Sequence, residues 1–310
     1  MNKNVWLIGP GNIGRDYLKV LQDQPVNFKV IGRSPRPDWP VEVFSEGLTK
    51  FINLNSQQIA EYAIVAVDES QLFAVTMELI ESGVRNILIE KPASLHVDKI
   101  KKLVQISESK NIKLFVAYNR RFYQSVKTCK QIISNSKGPI NVNFTFTEWS
   151  HAIPFDWYNK EELERFFLCN SSHVPDTVFY LVGPPKELHC YTSGGLEWHP
   201  ASSVFNGSGI TTKNIPISYN ANWNSAGRWG IEVDLPEKKL ILRPLEKLQV
   251  QTKGSFDIID IKLQHQQIDS DYKPGLFEQV KAFLDDQKEL CTIKQQLDNF
   301  LWYYKIANYS

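Results

Sequence analysis

Short apolar runs alternate with amphipathic stretches through the first 120 or so residues. The runs are NVWLIG (4–9), FKVIG (28–32), YAIVAV (62–67), NILIE (86–90) and KLFVAY (113–118). They are apolar almost without interruption, as strands are when both faces of a parallel sheet are covered. The stretches between them, 14–24, 70–83 and 96–111, place apolar residues at helical spacing. This alternation predicts an α/β domain built on a doubly wound parallel sheet.

The pattern changes after residue 122. A helical segment (123–136) is followed by alternating apolar and polar positions at 141–150, 186–195, 217–223, 229–236, 238–244 and 246–254. Several of these runs follow one another through short turns, which signals antiparallel pairing. Residues 275–309 read as two helices. The expected division is 1–122 and 123–310, the second an α+β domain with an open, largely antiparallel sheet. An open sheet face needs a cover, so a homodimer or homotetramer is expected.

Chemistry enters at the first turn. GPGNIG (9–14) sets Gly9, Gly11 and Gly14 in the G-x-G-x-x-G pattern between the first strand and the first helix. The first glycine permits the tight turn, the second admits a pyrophosphate to the backbone, and the third lets helix and strand pack closely. Amides of Asn12 and Ile13 then face the anion at the helix N-terminus. This is a Rossmann dinucleotide site. The second strand ends VIGRSPR, with Arg33 and Ser34 where NAD-binding versions carry an acid for the ribose 2′-hydroxyl. A guanidinium and a hydroxyl suit a 2′-phosphate, so NADP(H) is the preferred cofactor, with NAD(H) possible.

Composition narrows the partners. Lys+Arg of 35 against Asp+Glu of 34 gives a net charge of +1, too balanced for nucleic acid or an anionic membrane. No apolar run reaches membrane-span length and the start lacks a signal-peptide layout, so a cytoplasmic protein is expected. Cys129, Cys169, Cys190 and Cys291 are far apart and read as free thiols; the six histidines show no metal-ligand spacing, and no metal is expected.

The fourth strand ends in Glu90, Lys91 and Pro92, an odd close for a buried strand. With GPGNIG (9–14), EKP (90–92), AYNRRF (117–122) and HVPDTVFYLVG (173–183) in that order, the chain resembles the glucose–fructose oxidoreductase / inositol dehydrogenase / MocA (Gfo/Idh/MocA) family of NAD(P)-dependent oxidoreductases. The resemblance implies hydride transfer between nicotinamide and a hydroxyl or keto carbon of a sugar or sugar-like substrate. It implies Lys91 as the electrophile and proton donor, Glu90 as its charge partner beside the cofactor, a cis bond before Pro92, and His173 as the acid–base partner. Asp176 would orient that histidine or cap its helix. From the residues themselves, Asn119 and Arg121 are expected to emerge from a strand edge facing the cleft and, with Asn170, to contact substrate, Arg120 being an outward charge. Trp149, Trp157 and Tyr158 could stack on a sugar ring.

Two departures stand out. The family's Asp-x-x-x-His has Cys169 in place of the aspartate, and the Thr-Pro pair after the third strand is replaced by Asp68, an altered cofactor contact. They keep open a protein that binds cofactor as a catalytically impaired regulatory subunit, or a reductase of imines or double bonds.

Overall fold

The computed structural model describes residues 3–309. The chain opens with β1 (Lys3–Ile8), α1 (Asn12–Gln22), β2 (Val26–Ile31), β3 (Val43–Phe44) and α2 (Leu48–Leu54). It continues through β4 (Tyr62–Val65), α3 (Leu72–Ser82), β5 (Asn86–Ile89), α4 (Val97–Lys110) and β6 (Lys113–Val116). Next come α5 (Gln124–Ser134), β7 (Asn141–Phe146), α6 (Lys160–Glu164), α7 (His173–Val182), β8 (Pro185–Ser193) and β9 (Val204–Thr211). Then follow β10 (Pro216–Asn222), β11 (Trp229–Leu235), β12 (Lys238–Leu242), β13 (Gln249–Thr252) and β14 (Ile258–Asp260). The last elements are α8 (Gln266–Asp271), α9 (Leu276–Leu284), β15 (Cys291–Thr292) and α10 (Ile293–Ala307).

Two compact units result. The first holds residues up to Tyr118 together with Asp271–Asp298; the second holds Asn119–Ser270 with the residues from Asn299 onward. The first is a seven-stranded sheet in the order β15-β6-β5-β4-β1-β2-β3. All neighbours pair in parallel except β15, which runs antiparallel to β6. Every residue of β4 and β5 is buried, the reason their sequence shows no alternation. Helix α1 buries Gly14, Tyr17, Leu18 and Leu21, one stripe at helical spacing, and packs against α9.

The second unit is an eight-stranded sheet in the order β14-β13-β12-β11-β7-β10-β9-β8. Only β7 and β10 pair in parallel. Alternation decides its faces: Val142, Phe144 and Phe146 of β7 turn inward while Asn141 and Asn143 face out. Helix α7 lies against β7 and β11 and is buried almost all round. A π-helical turn, Phe167–Ser171, leads into it. Among the described residues, no helix is long and apolar enough to cross a membrane.

The fold class expected from the pattern is the one observed. Strands β3, β9 and β15 and helix α2 carry too little periodicity to be read in advance. Residues 119–122 form a 3-10 turn rather than a strand edge, which changes where the arginines point.

Candidate active site

In the first unit the glycine turn forms as its spacing requires. Gly9 has φ +105°, and a Cβ there would lie 2.3 Å from the Ala66 carbonyl oxygen. A Cβ on Gly14 would lie 2.1 Å from the Gly9 carbonyl oxygen, whereas at Gly11 nothing stands within 4 Å. Two glycines are therefore needed for packing, and the third keeps an approach open. Gly11 caps α1 with no side-chain acceptor for the first-turn amides of Asn12, Ile13 and Gly14. A cavity of about 450 Å³ opens here, lined by Gly9, Gly11, Arg33, Ser34, Arg36 and Asp68 among others. No carboxylate follows β2 in that lining: its acids, Asp68 and Glu78, come after β4 and from α3. Arg36 is an addition to the sequence reading; its guanidinium donates to the Pro10 carbonyl and pairs with Asp38 at 3.1 Å. These features fit a dinucleotide: a phosphate at the helix start and cations at the far end of the cavity.

The strand end at 90–92 resolves into two separate carboxylate contacts. The Lys91–Pro92 bond is cis. Buried Ala93 adopts φ +69°, its amide donates to the Glu90 carbonyl at 2.9 Å, and the Gln296 amide donates to the Pro92 carbonyl at 3.0 Å. Lys91 Nζ is 3.5 Å from Glu69 Oε1, and both side chains are largely buried. Glu90, expected to balance Lys91 beside the cofactor, instead accepts the Tyr17 hydroxyl at 2.6 Å and is absent from the cavity lining. Burial, then the Glu90 charge, pushes the Tyr17 hydroxyl well above its ordinary range, so the phenol stays protonated and donates. Glu90 thus ties the end of β5 to α1, and Glu69 is the acid at Lys91.

In the second unit the histidine and its surroundings rearrange the expected roles. His173 opens α7 and is buried. Arg120, expected to face outward, sends Nη1 to both Asn119 Oδ1 and His173 Nε2, each at 2.8 Å. A guanidinium only donates, so Nε2 accepts and the ring is the neutral tautomer with its proton on Nδ1. Arg121 and Asp176 also differ from expectation. Arg121 makes a bidentate pair with Asp176, Nε to Oδ2 at 2.8 Å and Nη2 to Oδ1 at 2.7 Å, with side-chain exposures of 6% and 0%. Asp176 therefore serves Arg121 rather than His173, and Arg121 is part of the interior. Burial raises the Asp176 carboxyl, opposed by the guanidinium and by the Tyr303 hydroxyl at 3.4 Å. The 3-10 turn causes the exchange: it swings residue 121 inward and leaves 120 at the histidine.

The carboxylate missing at Cys169 has a neighbour of another origin. Cys169 is buried and its Sγ lies 3.5 Å from the Glu162 carbonyl. Glu148, just past the end of β7, is buried and accepts from Asn170 Nδ2 (3.1 Å), Ser171 Oγ (2.5 Å), Trp229 Nε1 (3.2 Å) and Arg228 Nη1 (3.0 Å). Burial raises this carboxyl, and Ser171 and Arg228 pull it back. Asn170, expected on substrate, is thus engaged by Glu148. The Trp229 ring lies 6.2 Å from the His173 ring, with Arg120 5.4 Å and Arg228 4.8 Å from its centroid. Of the predicted aromatics, Trp149 and Trp157 are exposed and Tyr158 packs on Phe166 at 5.4 Å. Glu148, Arg228 and Trp229 were missed; the only advance signal was an acid ending an alternating strand in TEWS.

Residues 3–118 match the family described as "Oxidoreductase family, NAD-binding Rossmann fold", GFO_IDH_MocA. Through these residues the chain is similar to the Gfo/Idh/MocA oxidoreductases. Among curated proteins, the chain is 27% identical over 131 residues to the Bacillus subtilis scyllo-inositol 2-dehydrogenase (NADP(+)) IolW, covering 41% of this chain and 36% of that relative's length. It is 28% identical over 269 residues to the uncharacterized Saccharomyces cerevisiae protein YMR315W, covering 76% and 75%. Solved structures share the fold of the whole chain. An Agrobacterium radiobacter oxidoreductase in complex with NAD+, L-tartaric acid and magnesium superposes at a TM-score of 0.80, 14% identity, over 99% of this chain and 97% of that one. An Azotobacter vinelandii inositol dehydrogenase homologue complexed with NADH and myo-inositol gives 0.77 at 14%, over 99% and 95%. The fold shared with these structures therefore includes the second unit as well as residues 3–118.

Proposed function

We propose that the protein is an NADP(H)-dependent oxidoreductase acting on a hydroxyl or keto carbon of a sugar or sugar-like compound. The observation that carries the reading is the cavity at the glycine turn. Arg33, Ser34 and Arg36 border it, and no acid stands at the end of β2. When bound there, the nicotinamide dinucleotide supplies the hydride donor or acceptor. Amides of Gly11, Asn12 and Ile13 hold its phosphates, Arg33 and Ser34 the 2′-phosphate, and Asp68 contacts it from the turn after β4.

Lys91 stabilises negative charge on the substrate oxygen as the carbon changes oxidation state, and Glu69 holds the ammonium in place. His173 takes or returns the hydroxyl proton at Nε2, where the substrate hydroxyl replaces the Arg120 donor. A homodimer or homotetramer is the proposed assembly, a second copy covering the open face of the second sheet. The name of the Bacillus subtilis relative, an NADP(+)-dependent inositol dehydrogenase, accords with both cofactor and substrate class.

The test is a fluorescence titration with NADPH and NADH, followed by a keto-sugar and polyol panel. Arg33→Ala is expected to weaken NADPH at least about ten-fold while leaving NADH nearly unchanged. Equal losses for both cofactors refute the 2′-phosphate assignment, and cofactor binding without turnover of any sugar refutes the enzymatic one.

A further inference from the structure

Arg228 sits in the turn between β10 and β11, with its guanidinium 5.2 Å from the Trp149 ring centroid and 4.8 Å from that of Trp229. Trp149 is itself fixed, its Nε1 donating to the Gly227 carbonyl at 2.6 Å. Both contacts are of cation–π type and use the ring electrons of the indoles, so they consume none of the guanidinium's hydrogen bonds. One of the five N–H groups goes to Glu148 Oε2 at 3.0 Å, yet the side chain remains 43% exposed. A counter-ion whose only task was to neutralise buried Glu148 has no need of two neighbouring indoles and of donors left open to solvent. Trp229 connects this arginine to His173, whose ring lies 6.2 Å away. On the same indole, the buried Nε–H of Arg120 has no acceptor, which a desolvated donor requires.

We propose that these open donors of Arg228 form a carboxylate subsite, and that the substrate is a sugar acid, aldonate or uronate, rather than a neutral sugar. The proposal rests on the oxidoreductase reading above and names its substrate class. A planar fork matches a carboxylate in two parallel hydrogen bonds. A phosphate dianion fits less well, because the Glu148 carboxylate already occupies the other side of the same guanidinium. Trp149, half exposed, closes over the apolar face of the bound acid.

The experiment is isothermal titration of the NADP+-loaded protein with D-glucuronate, D-galacturonate and D-gluconate. The neutral counterparts are D-glucose, D-galactose and D-glucitol, with D-glucose 6-phosphate as a further arm. At least one acid is expected to bind about ten-fold or more tightly than its neutral counterpart, the worth of a charged bidentate contact. Arg228→Gln should reduce that preference to less than about two-fold. Should that variant fail to fold, Arg228→Lys, which keeps the charge but loses the fork, is expected to lose most of the preference. Acids binding no better than neutral sugars, a preference that survives both substitutions, no binding of any acid, or tighter binding of the phosphate each overturn the proposal. Turnover separates it from its basis. Neutral sugars turned over without acid preference leave the oxidoreductase reading and remove the subsite, whereas acid-selective binding without cofactor turnover does the reverse.

Discussion

Replacing Arg121 with methionine tests whether this arginine belongs to the interior or to the substrate. The guanidinium makes two hydrogen bonds of 2.7 and 2.8 Å to a carboxylate with no solvent exposure, and stacks 5.2 Å from the Tyr180 ring. Removing one partner of such a pair strands the other, at a cost of about 3–5 kcal/mol. With a urea m-value of about 2–3 kcal/mol/M, the unfolding midpoint should fall by roughly 1–2.5 M. Tryptophan fluorescence is the readout, since Trp198, Trp223 and Trp229 all lie in the second unit. Acidity provides a second check. Stranded Asp176 has its folded-state affinity for a proton raised by burial, so the folded variant binds the proton first. That contribution is fully present below the unfolded pKa of about 3.9 and lost as pH rises, so the deficit should shrink on acidification. The double variant Arg121→Met/Asp176→Leu should recover most of the loss. A midpoint shift worth less than about 1 kcal/mol, together with a raised KM for the sugar, would refute the interior assignment and restore Arg121 to the substrate.

Three shorter expectations accompany it. Lys91→Met should lower kcat by about 10²–10³-fold with NADPH affinity kept, measured by single-turnover cofactor fluorescence; unchanged kcat removes Lys91 from the chemistry. Gly9→Ala drives a methyl to 2.3 Å from the Ala66 carbonyl at a φ of +105°, and should abolish NADPH binding and lower Tm, which thermal shift with and without cofactor reports. His199 is buried, bonded through Nδ1 to the Ser202 carbonyl and through Nε2 to the Tyr309 hydroxyl, both at 2.7 Å; burial lowers its proton affinity. Its contribution is fully present above the unfolded pKa of about 6.5 and declines below it by up to about 1.4 kcal/mol per pH unit, so His199→Gln should flatten the fall in denaturant stability between pH 6.5 and 5.

What the sequence disclosed follows from how local each signal is. The glycine turn, the strand end at Lys91 and the parallel sheet depend on spacings within one βαβ unit, and the residues that form them are neighbours in the chain. The surroundings of His173 depend on contacts across long separations. Glu148, Asn170 and Arg228 meet only once the second sheet has formed. The exchange of Arg120 and Arg121 is subtler. Adjacent residues of one type cannot be told apart by pattern, and a 3-10 turn reverses the sides that a strand edge would give them. Glu90 and Glu69 show the same limit: a carboxylate next to a lysine in sequence need not be its partner in space.

The short strand β15 has a consequence for synthesis. It closes the outer edge of β6 using residues made some 170 positions later. The nucleotide-binding sheet therefore cannot complete itself while it leaves the ribosome. Throughout translation of the second unit, the Phe115–Val116 end of β6 lacks this partner, and an open strand edge is the kind of template that recruits foreign strands. A fragment ending near residue 118 should on that account be prone to aggregate, and a supplied peptide spanning 271–298 should suppress it.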